Sequence, residues 1–368
     1  YTYLGVVISN DLSWNLHVES MLRRARKRMA WLKFAAGQYR GMRPRTYLKL
    51  YTACVRPLME YCSGVWAPSL TRAQTRSLQL VQSDVLRAAL RVPSRTPVVV
   101  LHLETGVQYL KTRWEILLFR FLSKMLSAGE DRISRNALLS AVRNSIPWAL
   151  SIIRILRSCA NEELPVLRHR CTLDELSDFL SAGVISPIRV ANALMEREAK
   201  NMQSLSLYSD LRSWRNISKK YAWSRSLVGR PACCLHEAYL DSWSSDYFGV
   251  RLKLLARCNS VRSMEDCCAH GHIRNMRVQH LFFHCNSLRC ARVCRDQRLA
   301  AAFGSISSAE DEMSWADYLS LDVYQKLLIC LGKQTGNPVL DKKIDVITRL
   351  FLRQSYSILK FRELSPCY

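Results

Sequence analysis

Between Asn15 and Ala36 the apolar residues Val18, Leu22, Ala25, Met29 and Leu32 recur at intervals of 4, 3, 4 and 3. That spacing traces one face of an α-helix and fits no strand. Arg23, Arg24, Arg26, Lys27 and Arg28 cover much of the remaining surface. The segment is therefore an amphipathic helix with a dense cationic side, and Gly37 supplies its C-terminal cap.

The neighbouring segments follow the same logic. Residues 2–8 are β-branched and aromatic, which predicts a strand, and Asn10-Asp11 marks a turn. A second helix starts near Pro44, with Tyr47, Leu48, Tyr51, Thr52 and Val55 on its buried face, and Pro57 kinks or ends it. Tyr61 to Pro68 reads as an aromatic loop with Tyr61 and Trp66 buried as packing residues. Thr71 caps a third helix that turns Leu78, Val81, Val85, Leu86 and Ala89 inward, and Pro93 and Pro97 end it. A further helix spans about Tyr109 to Leu126 after Gly106. Residues 130–250 read as helices punctuated by Pro and Ser, without repeats. The tail carries helices over Trp315–Leu331 and Asp341–Phe361. The fold class is mainly α, with one N-terminal strand leading into a helical bundle.

Charge narrows the class of partner. The 368 residues carry 54 Lys+Arg against 30 Asp+Glu, a net charge of +24, and phosphate is the commonest acidic partner for such an excess. Residues 1–100 hold 16 basic and 4 acidic residues, or +12; the other 268 hold 38 and 26, also +12. Hydrophobic residues make up 49%, enough for a real core. No run of about 18 apolar residues occurs, so no membrane partner is expected. The chain opens at Tyr1 without a signal-peptide pattern and reads as a piece of something longer in an intracellular setting.

Several blocks then fall in a recognisable order. They are Tyr3-Leu4-Gly5-Val6 with Leu12, Trp14 and His17; Leu50-Tyr51, Ala53, Arg56-Pro57-Leu58, Glu60-Tyr61-Cys62-Ser63 and Val65-Trp66-Ala67; Leu78 with Val81-Gln82 and Ala89-Leu90-Arg91; then Thr96-Pro97, Leu101, Glu104-Thr105-Gly106, Leu110 and Arg113. The succession resembles the stretch just downstream of the catalytic palm in LINE-type (non-LTR) retrotransposon reverse transcriptases. It covers residues 1–125.

The resemblance implies that Tyr3, Leu4 and Gly5 belong to the primer-grip strand at the end of the palm (residues 1–12), where Gly5 lets the backbone approach the primer. It implies a helical thumb over 13–125, whose Arg23, Arg24, Arg26, Lys27 and Arg28 lie along an RNA/DNA template–primer duplex. A thumb must slide, so it should grip phosphates rather than read bases. The polymerase chemistry is absent from this chain. Such enzymes hold two metal ions on palm carboxylates in an aromatic–x–Asp–Asp turn, and no Asp-Asp pair occurs here. The expectation is a template–primer-binding segment that is inactive alone, with magnesium belonging only to the palm before Tyr1 and no small-molecule substrate. Nuclear residence follows from the same resemblance. Two other readings stand beside it: a non-enzymatic nucleic-acid-binding protein with a zinc knuckle, derived from a degenerate retroelement, and a structural helical protein of incidental basicity.

Six of the 14 Cys lie between Cys258 and Cys294, and four of the eight His between His270 and His284. Clustering of this kind in a chain without a secretory signal favours metal over disulfides. Cys267, His270, His280 and Cys285 fit a zinc-knuckle-like spacing, two close pairs that a turn brings together around one zinc ion. Cys290 and Cys294, at i and i+4, could replace one pair. The run Val278 to Cys285 resembles the second half of the C-terminal Cys/His motif of many such retroelements, whose first half usually has two Cys; His270 departs from it. Arg274 and Arg277 flank the cluster and suit RNA or target DNA. The expected layout is a helical region of unassigned role over 126–250, the Cys/His module over 251–300 and C-terminal helices over 301–368.

Overall fold

The structure is a computed structural model that describes residues 1–37, 42–92, 94, 96–126, 132–144, 146–158, 187–207, 240, 246–257, 277–305, 313–332 and 335–359. Among these residues the fold is mainly helical, with one two-stranded sheet. The strands are β1 (Thr2–Tyr3) and β2 (Val6–Val7). The expected single strand over residues 2–8 is thus corrected to an antiparallel hairpin, with Thr2 opposite Val7 and Tyr3 opposite Val6. The reason lies at its tip: Leu4 (φ 46°) and Gly5 (φ 82°) both take left-handed conformations, as a two-residue hairpin turn requires.

Helix α1 (Asn15–Ala35) follows, and Gly37 (φ 66°) closes it by donating its N–H to the Phe34 carbonyl at 3.1 Å. Helix α2 (Pro44–Leu50) runs into a π-helical turn (Tyr51–Val55) and then α3 (Arg56–Glu60). Pro57 has no N–H to give the preceding turn, and the helix widens there rather than stopping. The expected loop after Tyr61 is instead α4 (Ser63–Trp66) and a 3₁₀ turn (Ala67–Ser69). The left-handed Cys62 (φ 52°) separates α4 from α3. Helix α5 (Arg72–Leu90) starts from a capping box in which Thr71 and Gln74 satisfy each other's backbone N–H. A helix not expected from the β-branched run Val98-Val99-Val100, α6 (Val98–Thr105), ends at the left-handed Gly106. Helix α7 (Leu110–Leu126) follows.

The remaining helices are α8 (Ile133–Arg143), α9 (Pro147–Ser158), α10 (Pro187–Leu207), α11 (Tyr247–Arg257), α12 (Arg289–Gly304), α13 (Trp315–Ser320), α14 (Val323–Leu331) and α15 (Pro338–Leu359). The single helix expected over 315–331 divides because Asp322 caps a new start, accepting from the Gln325 N–H at 2.7 Å.

Three apolar cores hold these elements. The first packs α1, α2, α5 and α6 around Met21, Tyr51, Trp66 and Leu86. Helix α7 leaves it, giving Leu110 and Trp114 to the first core and Phe119 and Leu122 to another shared with α8, α9 and α10. Helix α11 links in the same manner: Val250 and Leu254 enter the first core, Leu252 and Ala256 the C-terminal one. Residues of α12 to α15 and of the segment 278–288 meet in that C-terminal core around Phe282 and Phe351. No described helix is long and apolar enough to cross a membrane.

Candidate nucleic-acid interface

The apolar stripe of α1 sits where its spacing places it. Val18, Met21, Ala25 and Leu32 are buried in the first core, with Leu22 and Met29 half-buried against it. Arg23, Arg24, Arg26, Lys27 and Arg28 are all exposed. The packed stripe fixes the helix's rotation, so the five cations form one solvent-facing surface at no cost in buried charge. By contrast, Arg56 and Arg113 of the ordered blocks both pair with Glu60, at 3.1 and 2.8 Å. The Arg56 pair lies within α3 and the Arg113 pair ties α7 to α3, so both guanidiniums are engaged inside the fold.

The hairpin is tied to the same frame. Tyr61, expected to be buried, is half-exposed instead, and its hydroxyl donates to the Leu4 carbonyl at 2.8 Å. Tyr61 in turn is fixed from below, where the indole N–H of the fully buried Trp66 donates to its carbonyl at 2.9 Å. At the hairpin's other end His17 Nδ1 accepts from the Val7 N–H at 3.2 Å. An acceptor Nδ1 requires the neutral ring, and burial, with Arg24 nearby, holds the His17 pKa below the ordinary value. The His17 ring lies 5.7 Å from Trp66, which lies 5.2 Å from Trp114, so an aromatic row runs from the hairpin to α7. Tyr3 and Leu4 are exposed at the tip. The sequence reading missed Tyr61 and His17 as braces, although both stand inside the blocks it singled out.

The Cys/His segment is described in part. Cys267, His270 and Arg274 lie outside the described residues. Arg277 opens a short helix (Arg277–Gln279) that leads into a π-helical turn over His280–His284. The Cys285 N–H closes that turn on the His280 carbonyl at 2.9 Å. Cys285 is fully buried in the C-terminal core. Arg292 donates to its carbonyl, and the buried Arg295 donates to the Phe282 carbonyl at 2.7 Å beneath Phe282, Phe283 and Phe351. His280 is half-buried; burial, then His284 and Arg292, lower its pKa and favour the neutral ring that a metal would bind. Among the described residues no three His, Cys, Asp or Glu side chains come together as a metal site. Cys290 and Cys294 are both exposed on α12.

Over 141 residues, 38% of the chain, the sequence is 23% identical to the probable RNA-directed DNA polymerase from transposon BS of Drosophila melanogaster. The match spans 15% of that protein's length. No family model and no solved structure matches the chain. The similarity is thus distant and partial, and it is to a transposon reverse transcriptase.

Proposed function

We propose that this chain is the C-terminal portion of a LINE-type retrotransposon reverse transcriptase and that it holds the template–primer duplex without performing polymerisation. One observation carries the reading: a hairpin braced by Tyr61 and His17 leads directly into α1, whose five cations are all exposed while its opposite face is locked in a core. Tyr3, Leu4 and Gly5 are then the primer grip, and Arg23, Arg24, Arg26, Lys27 and Arg28 line the thumb. The 141-residue similarity and the ordered blocks support the same assignment.

The physical role follows from the side chains. Guanidinium and ammonium groups on a rigid helix neutralise phosphates and release counterions without reading sequence, which lets a duplex slide. With no Asp-Asp pair in the chain, the metal-bound carboxylates of the reaction come from elsewhere. Binding of an RNA/DNA duplex to the full chain, titrated with salt, tests this. The expected result is affinity that falls steeply as salt rises; a flat response overturns the thumb. An in-frame palm with an Asp-Asp turn upstream of Tyr1 separates this reading from that of a stand-alone nucleic-acid-binding protein.

Zinc at Cys267, His270, His280 and Cys285 belongs to the same proposal, with Arg274 and Arg277 beside it for RNA or target DNA. What supports it is the spacing and the pinned turn that sets His280 one turn from Cys285. Its test is metal content after reconstitution; a metal-free protein ends it.

A further inference from the structure

The outer line of α1 carries more than charge. Leu16, Trp31 and Phe34 are 54%, 58% and 86% exposed, on a helix whose other face is fully packed. At 3.6 residues per turn, Leu16, Arg23, Lys27 and Phe34 fall within about 20° of one line, with Trp31 beside it. Lys27 and Arg28 stand one turn before Trp31, Lys33 adjoins Phe34, Arg23, Arg24 and Arg26 occupy the turn before those, and Glu19 is the only carboxylate in the helix. Another protein's apolar face laid on these rings would strip water from cations without offering them anions. A polyanion with flat apolar faces satisfies both parts at once.

Resting on the reading that this face binds nucleic acid, we infer that Trp31 and Phe34 form a stacking platform for unpaired bases where the duplex ends. Inside a duplex the bases are already stacked on one another, and a blunt end offers only the outer face of its last pair. A single-stranded extension offers a face at every base, while its phosphates lie along the neighbouring cations. The rise from Lys27 to Phe34 is about 10 Å, roughly the stacked height of three nucleotides of one strand. The platform therefore takes a short single-stranded RNA or DNA extension without sequence preference, because every base has an aromatic face.

The test compares the full chain on a blunt RNA/DNA duplex and on the same duplex with a three-nucleotide extension containing 2-aminopurine. The extension should tighten binding about 10-fold and quench the 2-aminopurine. Trp31→Ala and Phe34→Ala, both at exposed positions, should remove most of that gain and restore the fluorescence while leaving blunt-duplex affinity unchanged. Trp31→Phe should keep much of both signals. Equal affinity for the two ligands, or alanine variants that bind the extension normally, overturns the platform. The same holds if the alanine variants alter only self-association, since the rings then belong to a second copy of the chain. Failure of the duplex reading is separate: it is seen when charge reversal at Arg23 leaves blunt-duplex binding untouched.

Discussion

Arg257 of α11 donates from Nε to Glu104 of α6 at 2.8 Å, across 153 residues, with both side chains fully buried. The same guanidinium donates to the Leu331 carbonyl at the end of α14 at 2.7 Å. Glu104 lies in one of the blocks that resemble the reverse transcriptases, so one ion pair joins that stretch to the C-terminal core. Removing one residue of a buried ion pair takes its charge partner from the other, which costs about 3–5 kcal/mol. Glu104→Ala should lower stability by that amount in denaturant titration. The double variant Glu104→Leu with Arg257→Met should recover a large part of it. Equal losses in the single and double variants would remove the pair from its structural role.

The hairpin tip should respond to its brace. Tyr61→Phe removes only the hydroxyl that meets the Leu4 carbonyl, a contact at the protein surface worth about 0.5–1.5 kcal/mol. Global stability should therefore change little, while amide exchange at Leu4 to Val7 accelerates. Gly5→Ala acts on the backbone instead. An added Cβ would meet Tyr61 Cε1 at an ordinary 3.6 Å, so space is no obstacle, but φ +82° is a left-handed conformation that costs a residue with a Cβ about 1–2 kcal/mol. Faster exchange in both variants, with weaker binding of a primer-containing duplex, is the expected pair of results.

A buried carboxylate gives the molecule a specific pH dependence. Glu198 on α10 accepts from the Tyr109 N–H at 3.1 Å, and burial pushes its pKa from 4.5 up to about 7, with Glu115 adding to the rise and Thr112 and Arg197 opposing it. The folded state therefore holds a proton between pH 4.5 and 7 that the unfolded chain releases. Stability from this group is greatest below about pH 4.5 and falls as pH rises through 7, by about 3 kcal/mol in all. His17, whose folded pKa is depressed, works in the opposite direction. The difference between the wild type and Glu198→Gln isolates the carboxyl: Gln should be the more stable at pH 8 relative to wild type, and the advantage should shrink toward pH 5. A difference that does not change with pH would overturn the assignment.

Much of this was legible in the sequence because local rules decided it. The 4-3-4-3 spacing places α1 in the core and its cations outside. Thr71 announces the start of α5, and Gly37 closes α1 by adopting a left-handed conformation. The failures come from tertiary context. The sequence reading assigns no element to Val98–Thr105, because the β-branched run Val98-Val99-Val100 has weak helix preference, yet Val100 and Leu101 are fully buried in a helix. Tyr61 reads as a core residue by type, and only the position of Leu4, 57 residues earlier, makes it a brace. The exposure of Trp31 and Phe34 was implied by the same periodicity, since neither falls on the buried phase. The ion pair of Glu104 with Arg257 leaves no mark on local pattern at all.

The cationic face of α1 gives the most direct prediction about binding. Arg23, Arg24 and Lys27 are exposed and lie outside the buried stripe, so reversing them to Glu removes no core contact. Melting should therefore stay close to wild type. Each residue that neutralises a phosphate contributes about one unit to the slope of log affinity against log salt. The triple variant should lower that slope by about three and weaken binding by a similar factor for every duplex sequence, because phosphate contacts carry no base information. Reversal at Arg56, which is paired with Glu60, serves as the control. It should reduce stability while leaving the salt slope intact, so a slope that falls equally in both variants would show that general basicity, and not this helix face, holds the duplex.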